Sequence, residues 1–533
     1  MYNIKESAKK QYIDNIWKGE IKLKKIIYFI GIVFLVIVAI LNLTFTAKLD
    51  SSEHINISHN TLIYIIGLLI LGTAIFFINK ILYSKLYDKN DNKKKKVRKI
   101  LFAIIIILYL IFNIIWCIVV RPAIVGDQIH ACNLAQTFYS GNDEKFLPNI
   151  TYAGIPLIEY MQAYHQQISL AFVFSVFFRI IHFDGIGALR VLNVIGNVFI
   201  LIALYKISKQ LNKEYKINKL LVIFLITTFI SLTMLNTFIY GDIPSIALCL
   251  FSVYFMMKYT ETEKIKYPII ASLLIMIAFM MRMNSLIFII ATVIYLLLNL
   301  FNNIKNRTVK ENFIKLLIVG IYIVISIMPS NFVKNYYINK YNLDKDKAYP
   351  NISYFLMAME KSDRGNGWYN ESIGEPALKE PQNKKVEYVV KIKERIRYFS
   401  QHINYAFDFY TMKIASMWTE NTYSAVRNNM EGQTNQQLEN IINPLAFYQK
   451  TLLILMSVCS LVVLIQNRKN LSLNLIFLLT VFIGGFSFHI LWEAKSRYII
   501  PYILVLIPIA SININNTIKN NIIRIYNYIK SKK

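Results

Sequence analysis

Residues 100–120 read ILFAIIIILYLIFNIIWCIVV, and residues 121–128 continue RPAIVGDQ. A helix needs roughly 20 apolar residues to cross a hydrocarbon core of about 30 Å. Lipid offers the backbone no hydrogen-bond partner, so such a run must be helical. The first stretch is therefore a spanning helix, and the second carries Asp127 just beyond its end. Residues 128–139 read as a short helix that closes at Ser140-Gly141. Asp127 then has two compatible readings. It is an N-cap whose carboxylate accepts from the first helical amides, or it is a general base held at the membrane surface for a lipid-borne substrate.

The rest of the chain repeats the first pattern. Of 533 residues, 55% are hydrophobic, and the mean hydropathy is +0.42. Those values exclude an ordinary soluble domain and predict a polytopic membrane protein. About twelve spanning helices are expected, at 26–46, 61–79, 100–120, 187–206, 217–238, 243–258, 267–281, 284–301, 313–331, 448–466, 471–490 and 497–513. The first has no small-residue cleavage site and reads as a retained helix rather than a signal peptide.

Alternate loops differ in charge. One set holds Lys22, Lys24 and Lys25; Lys93 to Lys96; Lys209, Lys213 and Lys216; Lys305, Arg307 and Lys310; Arg468 and Lys469; and Lys530, Lys532 and Lys533. The other set, 47–60, 239–242, 282–283 and 491–496, is short and poor in Lys and Arg. The positive-inside rule places the first set and both termini in the cytoplasm. The net charge of +28 then reflects lysines beside anionic lipid rather than a nucleic-acid partner, for which there is no motif. Residues 168–181 (ISLAFVFSVFFRII) are apolar but include Arg179; crossing here would reverse the charge bias, so an interfacial or re-entrant helix is expected. Cys117, Cys249 and Cys459 fall in spans and Cys132 outside, so no intrachain disulfide is implied.

Four parts follow: 1–99, a cytoplasmic segment with two extra helices; 100–331, a membrane core with an external loop at 121–186; 332–447, a small α or α+β external subdomain; and 448–533, the last helices and a basic tail. Ionisable residues gather at one expected face. Tyr240-Gly-Asp-Ile-Pro244 is a tight turn by composition, yet Asp242 shares a face with Asp127 and is suited to binding a metal, orienting an acceptor or tuning Asp127 by repulsion. Arg282 interrupts an apolar stretch, either as a snorkelling side chain or as a phosphate-binding fork. Trp492-Glu-Ala-Lys-Ser-Arg-Tyr498 is either an interfacial belt or a clamp in which Arg497, with Lys495, holds a lipid phosphate.

At these residues the chain resembles the GT-C-type glycosyltransferases, the superfamily of protein O-mannosyltransferases and lipid A aminoarabinose transferases. Gly126-Asp127-Gln128, closing at Gly141, is similar to the acidic motif of their first large external loop. Tyr164-His165-Gln166-Gln167 with Arg190-Val-Leu-Asn193, Asp242-Ile-Pro244 and Arg497-Tyr498 resemble later motifs, in order. The resemblance implies an all-α polytopic enzyme of a bacterial, Gram-positive cell membrane with an extracellular active site. It implies a polyprenyl-phosphate sugar donor and an external glycan, lipid or protein acceptor. Asp127 and Asp242 are then the catalytic candidates. Arg282, Arg497 and Lys495 are candidates for the donor phosphate, and Gln128, Gln167, Glu493 and Tyr498 for substrate. Family members often have two adjacent acids; Gln128 replaces the second here, which leaves a divalent metal, Mg or Mn, open. The rival readings are a lipid-linked glycan polymerase or ligase, separated by its donor, and a flippase, separated by transport without bond formation.

Overall fold

The computed structural model describes residues 2–86, 92–147, 149–432, 436–469 and 471–512. The basic tail with Lys530, Lys532 and Lys533 lies outside them. The protein is a polytopic all-α membrane protein. Among the described residues eight helices are long and apolar enough to cross a membrane, and nine if one bent pair counts as a single span. They are Lys22–Thr44, Lys96–Val119, Gly185–Leu211, Asp242–Thr262, Ser285–Asn303, Val309–Lys340, Gln437–Asn467 and Leu473–Leu491. The bent pair, Lys219–Thr227 with Ile230–Thr237, turns by 43° within the expected span 217–238.

The expected dozen is therefore not reached on length alone, and the reasons are local. Lys266–Met281 is a continuous helix of only 16 residues. In the expected span 497–513 the chain breaks into Ser496–Ile499, Ile500–Leu504 and Leu506–Ala510. Pro501 and Pro508 cause this, since each removes the amide that would bond four residues back and its ring crowds that carbonyl. Elsewhere helices outrun their expected ends: Val309–Lys340 continues past 331, and Gln436–Asn467 begins before 448.

Contacts sort the connections into two ends. At one end Lys213 pairs with Glu261, Arg307 with Glu263, and Asn474 donates to Glu214. Lys213 and Arg307 belong to loops expected to be basic and cytoplasmic. At the other end meet the hairpin Phe45–Leu49 with Ile55–His59, the loop after Val119, the turns before Asp242 and after Met281, and the segment 491–498. The broken last segment joins the two ends, because Arg497 lies by Asp242 while the Ser511 carbonyl accepts from the Asn218 amide. Helix His165–Ile181 starts and finishes on the site side. Gln167 bonds Tyr240 at its start; Arg179 bonds the Phe138 carbonyl near its end, just before helix Gly185–Leu211 departs.

Between Lys340 and Gln436 the chain folds into short helices with cores of their own. Tyr349, Leu356, Met357, Ile373, Ala377 and Tyr388 form one, and Met359, Phe399 and Phe409 another. Trp368 and Trp418 belong to the core: each is 1% exposed. The Trp368 indole donates to Ser416 Oγ at 2.8 Å, and Trp418 packs on Phe482 and Phe486. Buried Lys413 pins this region to the helices by donating to the carbonyls of Ala358, Ile490 and Trp492.

Candidate functional site

Both acidic motifs are built alike. Gly126 (φ +58°) precedes Asp127, the first residue of helix Asp127–Ser140, and Gly241 (φ +80°) precedes Asp242, the first residue of helix Asp242–Thr262. A glycine takes a positive φ without steric cost. At Gly241 an added Cβ would also lie 2.8 Å from Leu170 Cδ1, so that side chain would have to shift. Each carboxylate therefore enters the site at the start of a rigid helix. The N-cap reading of Asp127 is corrected: the cap is Gly126, with no side-chain capping bond.

The Asp127 carboxylate is held by two phenols instead. Tyr160 donates to Oδ1 at 3.1 Å and Tyr240 to Oδ2 at 3.0 Å. Burial, and then the Asp127 charge, drive both phenols well above the usual tyrosine range, which keeps them neutral donors. Gln167 donates to Tyr240, extending the chain Gln167, Tyr240, Asp127. His130 stacks on Tyr160 with centroids 4.1 Å apart. Gln128 is buried, and its carbonyl oxygen accepts from the Ile239 amide at 2.9 Å. Asn193 donates to the carbonyls of Asn236 and Phe238. These two side chains thus set the turn that carries Tyr240.

Asp242 sits between the two arginines expected at the phosphate. Its Oδ1 lies 3.3 Å from Arg282 Nε and 3.7 Å from Arg497 Nε. The Arg282 guanidinium lies 4.7 Å from the Tyr240 ring centroid, and that of Arg497 4.0 Å from Phe238. Tyr240 consequently touches both carboxylate clusters. Asp242 Oδ2 and Arg497 Nε are buried without a hydrogen-bond partner among the described residues. Beside them opens a small cavity of about 20 Å³, lined among others by Ser245, Ser285, Phe288 and Tyr498. Two guanidinium groups against one carboxylate leave a single positive charge at its mouth.

The remaining candidates separate. Lys495 does not join Arg282 and Arg497; it lies 3.6 Å from Glu53 in the hairpin turn, where Arg364 and Arg427 also pair. Burial works to raise the Glu53 carboxyl, but Lys495, Arg427 and Arg364 bring it down to about 2. Glu493 is 5% exposed and makes no ion pair within 4 Å among the described residues. Burial outweighs the pull of Lys495 and pushes its carboxyl up to about 6. Tyr498 lies beneath both arginines, 5.8 Å from each guanidinium.

Sequence reasoning missed Tyr160, Glu53, Arg364 and Arg427. The role of Tyr240 was missed as well, although its place beside Gly241-Asp242 was a local signal. A magnesium- or manganese-type ion asks for several converging oxygens. Among the described residues no group of three or more His, Cys, Asp or Glu converges, and Asp242 offers one free oxygen beside two cations. This donor set does not fit such an ion.

Residues 166–329, under a third of the chain, match the family described as dolichyl-phosphate-mannose-protein mannosyltransferase. The matched stretch includes Gln167, Asn193, Tyr240, Asp242 and Arg282, and it agrees with the GT-C-type resemblance. No match was found among curated proteins. Among solved structures the chain is similar to the oligosaccharyltransferase AglB from Archaeoglobus fulgidus in complex with an inhibitory peptide and a dolichol-phosphate, at 12% identity over 82% of this chain and 52% of that one, with a TM-score of 0.40. It is also similar to an Archaeoglobus fulgidus oligosaccharyltransferase tethered to an acceptor peptide containing the NVT sequon, at 12% identity over 76% and 48%, with a TM-score of 0.39. The chain thus spans about half the length of these solved chains.

Proposed function

We propose that this protein is a glycosyltransferase that moves a sugar from a polyprenyl-phosphate donor to an acceptor at the outer face of a bacterial membrane. The observation that carries the reading is the joint held by Tyr240. Its hydroxyl fixes Asp127 at 3.0 Å, while its ring supports Arg282, which with Arg497 flanks Asp242 at the cavity mouth. A base and a phosphate clamp stand on either side of one side chain. That is what single displacement at an anomeric carbon between acceptor oxygen and leaving phosphate requires.

In this mechanism Asp127 takes the proton of an acceptor hydroxyl as general base. The hydroxyl oxygen bonds to the anomeric carbon, and the bond from that carbon to the phosphate oxygen breaks. The configuration inverts through an oxocarbenium-like state, as in inverting glycosidases. The electron pair leaves with the lipid phosphate, whose charge meets Arg282 and Arg497. Bidentate guanidinium bonds suit that group. Asp242 keeps the two forks apart and aimed. Gln128 acts here as a positioning residue, and Lys495 secures the Glu53 hairpin.

The test is release of polyprenyl phosphate from a panel of polyprenyl-phosphate monosaccharides by purified protein in detergent. Release that depends on Asp127 supports the reading. A protein that is folded yet releases phosphate from none of them contradicts it.

A further inference from the structure

Arg497 has only a loose hold of its own in the site. Its Nε lies 3.7 Å from Asp242 Oδ1 and has no hydrogen-bond partner among the described residues, and its guanidinium rests on the Phe238 ring. An arginine side chain has many rotamers, so a fork held this way takes its aim from its own backbone. That backbone is a single 3₁₀ turn, Ser496–Ile499. Three successive side chains at its start each meet an acid from a distant part of the chain. Lys495 lies 3.6 Å from Glu53, Ser496 donates to Glu420 at 2.7 Å, and Arg497 faces Asp242. Of the three, the Ser496 contact is the hydrogen bond, and both its partners are enclosed: Ser496 is 0% exposed and Glu420 1%.

Glu420 has no part in the mechanism above, yet both its oxygens are taken. Oε1 accepts from the Thr422 amide at 3.0 Å and the Thr422 hydroxyl at 2.6 Å. Oε2 accepts from the Ser424 amide at 2.6 Å and from Ser496. The Ser424 and Ser496 hydroxyls lie 3.0 Å apart. The Ser496 proton is already directed at Glu420, so Ser424 is the donor in that pair. The Ser496 oxygen is thus fixed from two sides. This arrangement is reached at the cost of backbone strain, since Tyr423 and Ser424 take φ of +55° and +61°, where an L-residue is crowded. Such residues persist only where the surroundings over-determine them. The platform under Glu420 is firm. Asn42 donates to the Trp418 carbonyl at 3.1 Å, the Ala47 amide to the Thr419 carbonyl at 3.3 Å, and Asn421 to the Ala446 carbonyl at 2.8 Å. These bonds tie residues 418–421 to the first span, the hairpin and helix Gln436–Asn467.

We propose that Glu420 is a positioning residue for the donor phosphate: through Ser496 it fixes the backbone that aims Arg497 at the leaving group. The proposal rests on the glycosyltransferase reading and adds to it the group that sets the clamp. An ionised carboxylate suits the role because it accepts from amides and hydroxyls at once and has no donor of its own. A glutamine would turn an NH₂ group against the Ser424 amide or the Thr422 amide.

The test is titration of the full-length protein in detergent with a polyprenyl phosphate that carries no sugar, so that binding is read without turnover. Ser496→Ala and Glu420→Gln should each weaken binding about tenfold, and neither should weaken it further in an Arg497→Ala background, because a group acting through Arg497 then has nothing to aim. Both are checked by thermal melting; Ser496→Ala, which deletes one hydroxyl, decides the outcome if Glu420→Gln melts early. Release assays should place the loss in the donor KM rather than in kcat. Equal affinity in wild type and Ser496→Ala, losses that add to that of Arg497→Ala, or a fall in kcat at unchanged donor KM overturns the proposal. Wild type that binds no polyprenyl phosphate overturns it together with the clamp. Sugar release by wild type with the additive pattern overturns the positioning role and leaves the transferase reading standing. Binding that needs Ser496 only while Arg497 is present, with no sugar donor turned over, removes the transferase reading and leaves the positioning role.

Discussion

Asp127 is fixed by two phenolic donors, and that geometry sets what its variants do. Asp127→Asn should lower turnover by about 10²–10⁴-fold, the usual contribution of a general base, with insertion and melting unchanged; near-normal turnover excludes the role. Arg497→Ala removes a charged donor from the cavity mouth. It should raise the KM for the lipid donor by about ten- to a hundredfold, since such bonds contribute about 1.5–3 kcal/mol; an unmoved donor KM argues against the clamp. Glu493 adds a pH signature. Its carboxyl rises from 4.5 to about 6 in the folded protein, so folding favours the protonated form. The associated stability is fully present below pH 4.5 and is lost as pH rises through 6. Glu493→Gln cannot ionise and should be about 2 kcal/mol more stable than wild type above that window, with no gain below it. Melting both proteins in detergent across the range reads this directly, and a pH-independent difference rules it out.

The elements that present these side chains were legible where chemistry is local. The short helix after Gly126 was expected at 128–139 and runs Asp127–Ser140, ending at Gly141 in the left-handed conformation. The Gly-Asp pair also marked the second site helix, down to Pro244 in its first turn. Gly241→Ala tests this construction. Its φ of +80° costs an L-residue about 1–2 kcal/mol, and the new Cβ would press on Leu170. The variant should melt lower and lose activity together, because Tyr240 and Asp242 flank the turn; unchanged activity refutes the shared-turn argument. What hydropathy did not resolve was the last segment, where length suggested one helix and Pro501 and Pro508 made three. Tyr160 and Glu53 were not legible either. Their partners Asp127, Arg364 and Arg427 are distant in sequence, and nothing in residues 50–53 or 157–163 distinguishes a turn or a short helix from a site.

Across the whole molecule, contacts divide the connections into two sets. The loops expected to face inward meet one another, through Lys213 with Glu261 and Arg307 with Glu263, and the loops expected to face outward meet at the site. On the proposed orientation, a cysteine placed at Ser51 should be labelled by an impermeant thiol reagent in intact cells, and one at Lys213 only after lysis; the reverse pattern turns the site to the cytoplasm. The central claim is narrower: Asp127 drives sugar transfer from a polyprenyl phosphate. The most direct measurement is polyprenyl-phosphate release by purified wild type beside Asp127→Asn, across a panel of polyprenyl-phosphate sugars. The account predicts release by wild type with at least one donor and a loss of about 10²-fold or more in the variant. Equal release by both folded proteins, or none by wild type with any donor, contradicts it.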